Sequence, residues 1–146
     1  MIAENQKLIR VRRDEPERTC IVCPIGCQLT ITVNEDDTIS VSGNRCRRGE
    51  EYAQEEYRDP RRIVTATAAI SGGTLLRMPV RSSAGVPVED LASFLNAVYE
   101  LRLEAPVARG TVVAENVADT GVDLIATATA DASTTASADD EGSSNV

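Results

Sequence analysis

The chain has 146 residues, 42% of them hydrophobic, with a formal net charge of −8, no histidine, no tryptophan, one phenylalanine and three tyrosines. That length buries one ordinary core or two small ones and is short for a complete multi-cofactor enzyme. The negative charge and the shortage of aromatic stacking platforms argue against a nucleic-acid partner, and the missing imidazole removes Ser-His and Cys-His nucleophiles and histidine metal ligands.

The N-terminal stretch "MIAENQKLIRVRRDEPERTC" has no apolar run of signal-peptide length, and nowhere do eighteen apolar residues follow one another. The expectation is a soluble cytoplasmic protein with no transmembrane segment. Alternation in "KLIRVRR" fits a short strand or an arm. Fourteen arginines against one lysine, Lys7, in an acidic Thr/Asp/Ala-rich chain suit either a high-salt cytoplasm or a GC-rich genome.

Residues 20–27, "CIVCPIGC", then place three cysteines in eight positions. "QLTITV" and "TISVSG" follow, alternating apolar and polar around the turn formers "NEDD", which predicts a hairpin with Leu29, Ile31 and Val33 on one face and Ile39 and Val41 on the return strand. That return leg carries the chain back toward the loop, where the fourth cysteine, Cys46, stands in "NRCRRGEEYA". "EEYAQEEYR" reads as a short helix stopped at Asp59-Pro60.

"RRIVTATAAI" and "TLLRMPV" around "SGG" predict a second hairpin. Pro87 fits the first turn of a helix whose apolar residues Leu91, Phe94, Leu95, Val98 and Leu101 recur at helical spacing, a stripe that belongs to a core. "GTVVAENVADTGVDLIAT" predicts two short strands around a "DTG" turn. From Ala128 onward the sequence is acidic, poor in hydrophobics and expected to be disordered. The resulting expectation is an α+β protein: a four-cysteine metal-loop and β-hairpin unit over residues 1–60, a small α+β unit over 61–127 and a disordered acidic tail over 128–146.

Three readings compete for Cys20, Cys23, Cys27 and Cys46. Disulfides suit neither a reducing compartment nor the short C-x2-C and C-x3-C segments. Structural zinc usually draws its ligands two and two from paired knuckles. Here the partition is three and one, which better fits a [4Fe-4S] cluster, whose larger body takes three thiolates from one loop and the fourth from a distant segment. Zinc stays open as the alternative. Gly26 lets the backbone pass close to an inorganic core and Pro24 stiffens the loop. Arg45, Arg47 and Arg48 either offset the negative charge of such a cluster or form a solvated basic loop paired with Glu50, Glu51, Glu55 and Glu56.

"CIVCPIGC", a hairpin and then "VSGNRCRRGEEYA" resemble, over about residues 18–57, the N-terminal iron–sulfur domain of molybdopterin oxidoreductases such as formate dehydrogenases and nitrate reductases. That resemblance implies a [4Fe-4S] cluster on Cys20, Cys23, Cys27 and Cys46, with Arg48 where that family has a basic residue between cluster and pterin. Over about residues 18–127 the chain is similar to a family of small CxxC-motif proteins, domain of unknown function 1667, through "CPIGC", "GNRCRRGEEYA", "DPRR", "MPVR" and "DTGVD". This second resemblance implies an accessory redox subunit accompanying an FAD-dependent dehydrogenase of the glycerol-3-phosphate dehydrogenase type. The expected function is iron–sulfur electron transfer without independent catalysis, since no acid/base pair stands out beyond the cysteines. The rivals are a structural zinc assembly or interaction module and an iron–sulfur chaperone or sensor.

Overall fold

The computed structural model describes residues 16–133, so the strand or arm expected at 7–13 lies outside the described residues. The expected α+β class holds, with two cores built on separate sheets.

The smaller sheet has three antiparallel strands, β1 (Glu17–Thr19), β2 (Gln28–Val33) and β3 (Ile39–Ser42), in that order. Alternation sorts β2 as the sequence implies: Leu29 and Ile31 are buried, and Val33 at the strand end is exposed. The turn between β2 and β3 is held by Asn34, whose amide donates to Thr38 Oγ1 and Ser40 Oγ. Helix α1 (Arg47–Arg58) follows β3 and begins three residues before the predicted "EEYAQEEYR". Its buried residues Gly49, Ala53 and Glu56 recur at helical spacing, and the small side chains at 49 and 53 let the helix lie close to the sheet. Asp59-Pro60 ends it, as read.

A two-stranded pair, β4 (Arg61–Arg62) with β7 (Val86–Pro87), joins this unit to the larger one. The larger sheet has five strands in the order β8-β5-β6-β10-β9, comprising β5 (Thr65–Ser71), β6 (Arg77–Ser82), β8 (Arg102–Glu104), β9 (Val112–Ala114) and β10 (Leu124–Ala126). β5 and β6 form the expected hairpin, and β9 and β10 the expected pair. β8, which the sequence reading did not resolve, runs parallel to β5.

Helix α2 (Leu91–Glu100) packs on β5 and buries Phe94 and Val98, while Leu91, Leu95 and Leu101 flank the same core. Pro87 does not open this helix. It sits in β7 ahead of a 3-10 turn at Val88–Asp90, because Val86 is needed to pair with Arg62. The buried hydroxyl of Ser82 accepts from Val64 N–H at 2.9 Å, so its burial leaves no stranded polar group.

The chain expected to become disordered at Ala128 remains bonded through Ser133. Ala130 is fully buried and exchanges two backbone hydrogen bonds with Val107, at 2.8 and 2.9 Å. Thr74 N–H donates to Asp131 O and Ser133 N–H to Gly72 O, both at 2.9 Å. Composition misleads at this point because small residues close a sheet edge through backbone bonds that need no large side chains. The remainder of the expected tail, 134–146, lies outside the described residues. A chain ended after Thr127 is therefore expected to lose about 1–3 kcal/mol of stability, read as a lower urea midpoint for the larger core.

Candidate metal centre

The three-cysteine loop is the connection between β1 and β2. Thr19 pairs with Gln28, and Cys20 N–H donates to Cys27 O at 2.8 Å, which closes the loop at its base. Inside it, Gly26 takes φ +63° and its N–H donates to Cys23 O, a tight return that L side chains resist. Cys20 is 5% exposed and packs with Leu29, Ile31 and Ala53, Cys23 is half-buried, and half-buried Cys27 packs against the same small core.

The register of the hairpin decides where Cys46 goes. Thr30 pairs with Ser42, so the C-terminal end of β3 arrives beside the N-terminal end of β2, next to Cys27. Gly43 then passes so close to the strand that a Cβ there would lie 2.0 Å from Gln28 O, and its φ is +83°. Only glycine meets both conditions. Three residues later Cys46 stands at the N-cap of α1, so both cysteine-bearing segments end up at one end of the small sheet.

The thiols themselves are not gathered. All four are free, Cys20 is buried and Cys46 is exposed, and among the described residues no three Cys, Asp or Glu side chains converge closely enough to hold a metal ion. The donor set has the number and softness that iron–sulfur clusters and zinc take, but its side chains have to swing together before they chelate.

Cys46 has the most distinctive electrostatics of the four. The Gly49 N–H, followed by the N–H and guanidinium of Arg48, holds its thiol below the ordinary cysteine value, working against a desolvation penalty. The sequence reading missed this because it began the helix at Glu50; the N-cap position of Cys46 supplies these donors. The solvated reading of the arginines holds for Arg47, which pairs with Glu51 at 2.9 Å in the exposed first turns of α1, while Arg48 lies beside the Cys46 thiol.

Behind the loop lies a polar centre with no obvious sequence signal. Glu56, 7% exposed, accepts from both guanidinium nitrogens of Arg62, with Nη1 to Oε2 at 2.9 Å, and meets Arg18 Nη1 at 3.5 Å. The hydrogen bond from Arg62 to Glu56 raises Arg62 above its ordinary value against the cost of burial. Burial pushes the nearby Tyr52 phenol up, the Glu56 carboxylate adds to the effect, and the Arg62 and Arg18 guanidiniums oppose it. Tyr52, Glu56 and Arg62 line an open groove of about 750 Å³ whose apolar flanks are Ile21 on the cysteine loop and Ile63 after β4. Ile21, Val22 and Ile25, between the cysteines, are exposed.

The molecule is thus a small α+β protein with four free thiols delivered by two segments to one end of a three-stranded sheet. The chain belongs to the family described as protein of unknown function, DUF1667, whose profile matches residues 47–128 and so begins immediately after Cys46. It is also similar to the Clostridium perfringens protein CPE0013, known from an NMR structure, with 27% identity over 51% of this chain and 88% of that one and a TM-score of 0.46. No curated protein matches the chain at a significant level. Among the described residues no helix is long and apolar enough to cross a membrane.

Two outcomes are expected from this geometry. Gly43→Ala should destabilise the small unit by more than about 1 kcal/mol and speed alkylation of the otherwise buried Cys20, read by mass spectrometry of iodoacetamide-treated protein. The alkylation rate of Cys46 should inflect at a pH below that of an ordinary cysteine. Because its folded value is depressed, the folded chain binds fewer protons across the interval between the two values, so this thiol's contribution to stability grows as pH rises through that interval and is absent below it.

Proposed function

We propose that the protein is an iron–sulfur electron-transfer subunit whose [4Fe-4S] cluster is held by Cys20, Cys23, Cys27 and Cys46, and that it works docked to a flavoprotein dehydrogenase. The observation that carries this reading is the three-and-one division of four free thiols, with the loop and Cys46 brought to the same end of the small sheet. The thiols' separation is compatible with it, since soft-metal sites are seldom preformed and the binding free energy itself draws the ligands in. Gly49 N–H and the Arg48 groups at Cys46 stabilise a thiolate, the form a metal needs.

The accessory role rests on the resemblance to small CxxC-motif proteins that accompany FAD-dependent dehydrogenases. It gains support from Ile21, Val22 and Ile25, exposed apolar side chains interleaved with the ligands, which a docked partner would cover. The resemblance of "CIVCPIGC" and "NRCRRG" to the cluster domain of molybdopterin oxidoreductases points to the same cofactor.

Protein isolated without oxygen is expected to be brown, to absorb broadly in the visible and to bleach with dithionite, and Cys46→Ser is expected to lose or degrade that chromophore. Colourless protein carrying one zinc per chain would instead support a structural zinc module and end the electron-transfer reading.

A further inference from the structure

The Glu56 carboxylate stands where three separate pieces of chain meet. Arg18 lies on β1, two residues before Cys20. Glu56 lies on α1, the helix whose N-cap is Cys46. Arg62 lies on β4, where it pairs with Val86, a fully buried member of the larger core. The segments that carry the thiols are also joined through the hairpin they flank and through apolar packing of Cys20 and Cys27 with Ala53, Tyr52 and Tyr57 of α1.

A buried carboxylate between two guanidiniums is a sensitive joint. With the carboxylate present, each arginine has a charge-assisted partner. Without it, Arg62 loses its bidentate partner and the anion that stands between the two guanidiniums is gone. Glu56 and Arg62 also line the groove beside Ile21, and Arg18 links Glu56 to the strand that leads into the cysteine loop, so a displacement of β4 reaches that loop through two ionic contacts.

We propose that Glu56 is a positioning residue: through Arg18 and α1 it fixes the three-cysteine loop and Cys46 relative to one another, and through Arg62 it makes that arrangement responsive to the β4–β7 pair and the larger sheet. The geometry is independent of what the thiols bind; its consequence for metal rests on the function proposed above.

The test uses the full chain, reduced and metal-free, as wild type, Glu56→Gln, Arg18→Gln and Arg62→Gln. Hydrogen exchange is read by mass spectrometry, and cobalt(II) is then titrated into the same samples and followed by its sulfur-to-metal charge-transfer band. Glu56→Gln is expected to speed exchange about tenfold or more in both 20–27 and 46–50 while β5 and β6 stay within about twofold. Its apparent cobalt affinity should fall by about tenfold or more. Arg62→Gln should free both segments to a smaller degree.

Arg18→Gln, which removes the loop-side contact to Glu56 and leaves the Arg62–Glu56 pair in place, should free 20–27 and spare 46–50, and this variant carries the test if Glu56→Gln does not fold. Unchanged exchange at the loop in Glu56→Gln or Arg18→Gln overturns the proposal, as does uniform acceleration across the larger sheet. If wild type takes up no cobalt through sulfur while Glu56→Gln still frees both segments, the metal reading fails and the positioning role stands.

Discussion

The close passage of Gly43 over the Gln28 carbonyl is the constraint on which the rest of the site depends. Any side chain there would collide with the strand, and the backbone turns through a left-handed conformation at the same residue. Because this contact is possible, β3 can run its full length against β2 and deliver the chain to Asn44, Arg45 and Cys46 beside the base of the cysteine loop. The same path sets the start of α1, whose buried small residues Gly49 and Ala53 then close the small core over Leu29. Sequence separation between Cys27 and Cys46 is thereby converted into proximity of two chain segments.

Proximity of segments is not convergence of thiols, and that difference shapes the proposed chemistry. Cys20 is packed with aliphatic side chains and Cys46 is in solvent beside Gly49 N–H and Arg48. On the proposed reading the exposed thiolate meets the metal first, and the loop thiols are drawn in as coordination replaces their packing contacts. Metal binding and local ordering then become one equilibrium. On the same reading the Glu56 centre, nearly closed to water, limits how far the loop and helix can drift before that happens.

Much of this was legible in the sequence because the signals were local. Alternation marked Leu29 and Ile31, "NEDD" marked the turn, Asp59-Pro60 marked the end of α1, and the spacing of Phe94 and Val98 marked the buried face of α2. The features that escaped depend on long-range packing or on main-chain bonds. Ala130 looks like part of a polar tail until Val107 pairs with it. The first turn of α1 was missed because Arg47 and Arg48 directly after a cysteine read as a ligand loop, although Gly43 and Asn44 just before were a turn signal that could have marked the helix entry. Glu56 was one of several acids in "EEYAQEEYR", and nothing local distinguishes the one that finds Arg18 and Arg62. Spacing groups the four cysteines on paper, whereas their unequal burial, from closed Cys20 to exposed Cys46, leaves no trace in it.

The central claim is that the loop and Cys46 together form one sulfur site for iron. X-ray absorption at the iron and zinc edges of protein isolated without oxygen tests it most directly. The account predicts iron in an all-sulfur shell with a short iron–iron vector, both disturbed when Cys46 is replaced by Ser. Zinc in the sulfur shell, or metal whose neighbours are oxygen and nitrogen, would contradict it.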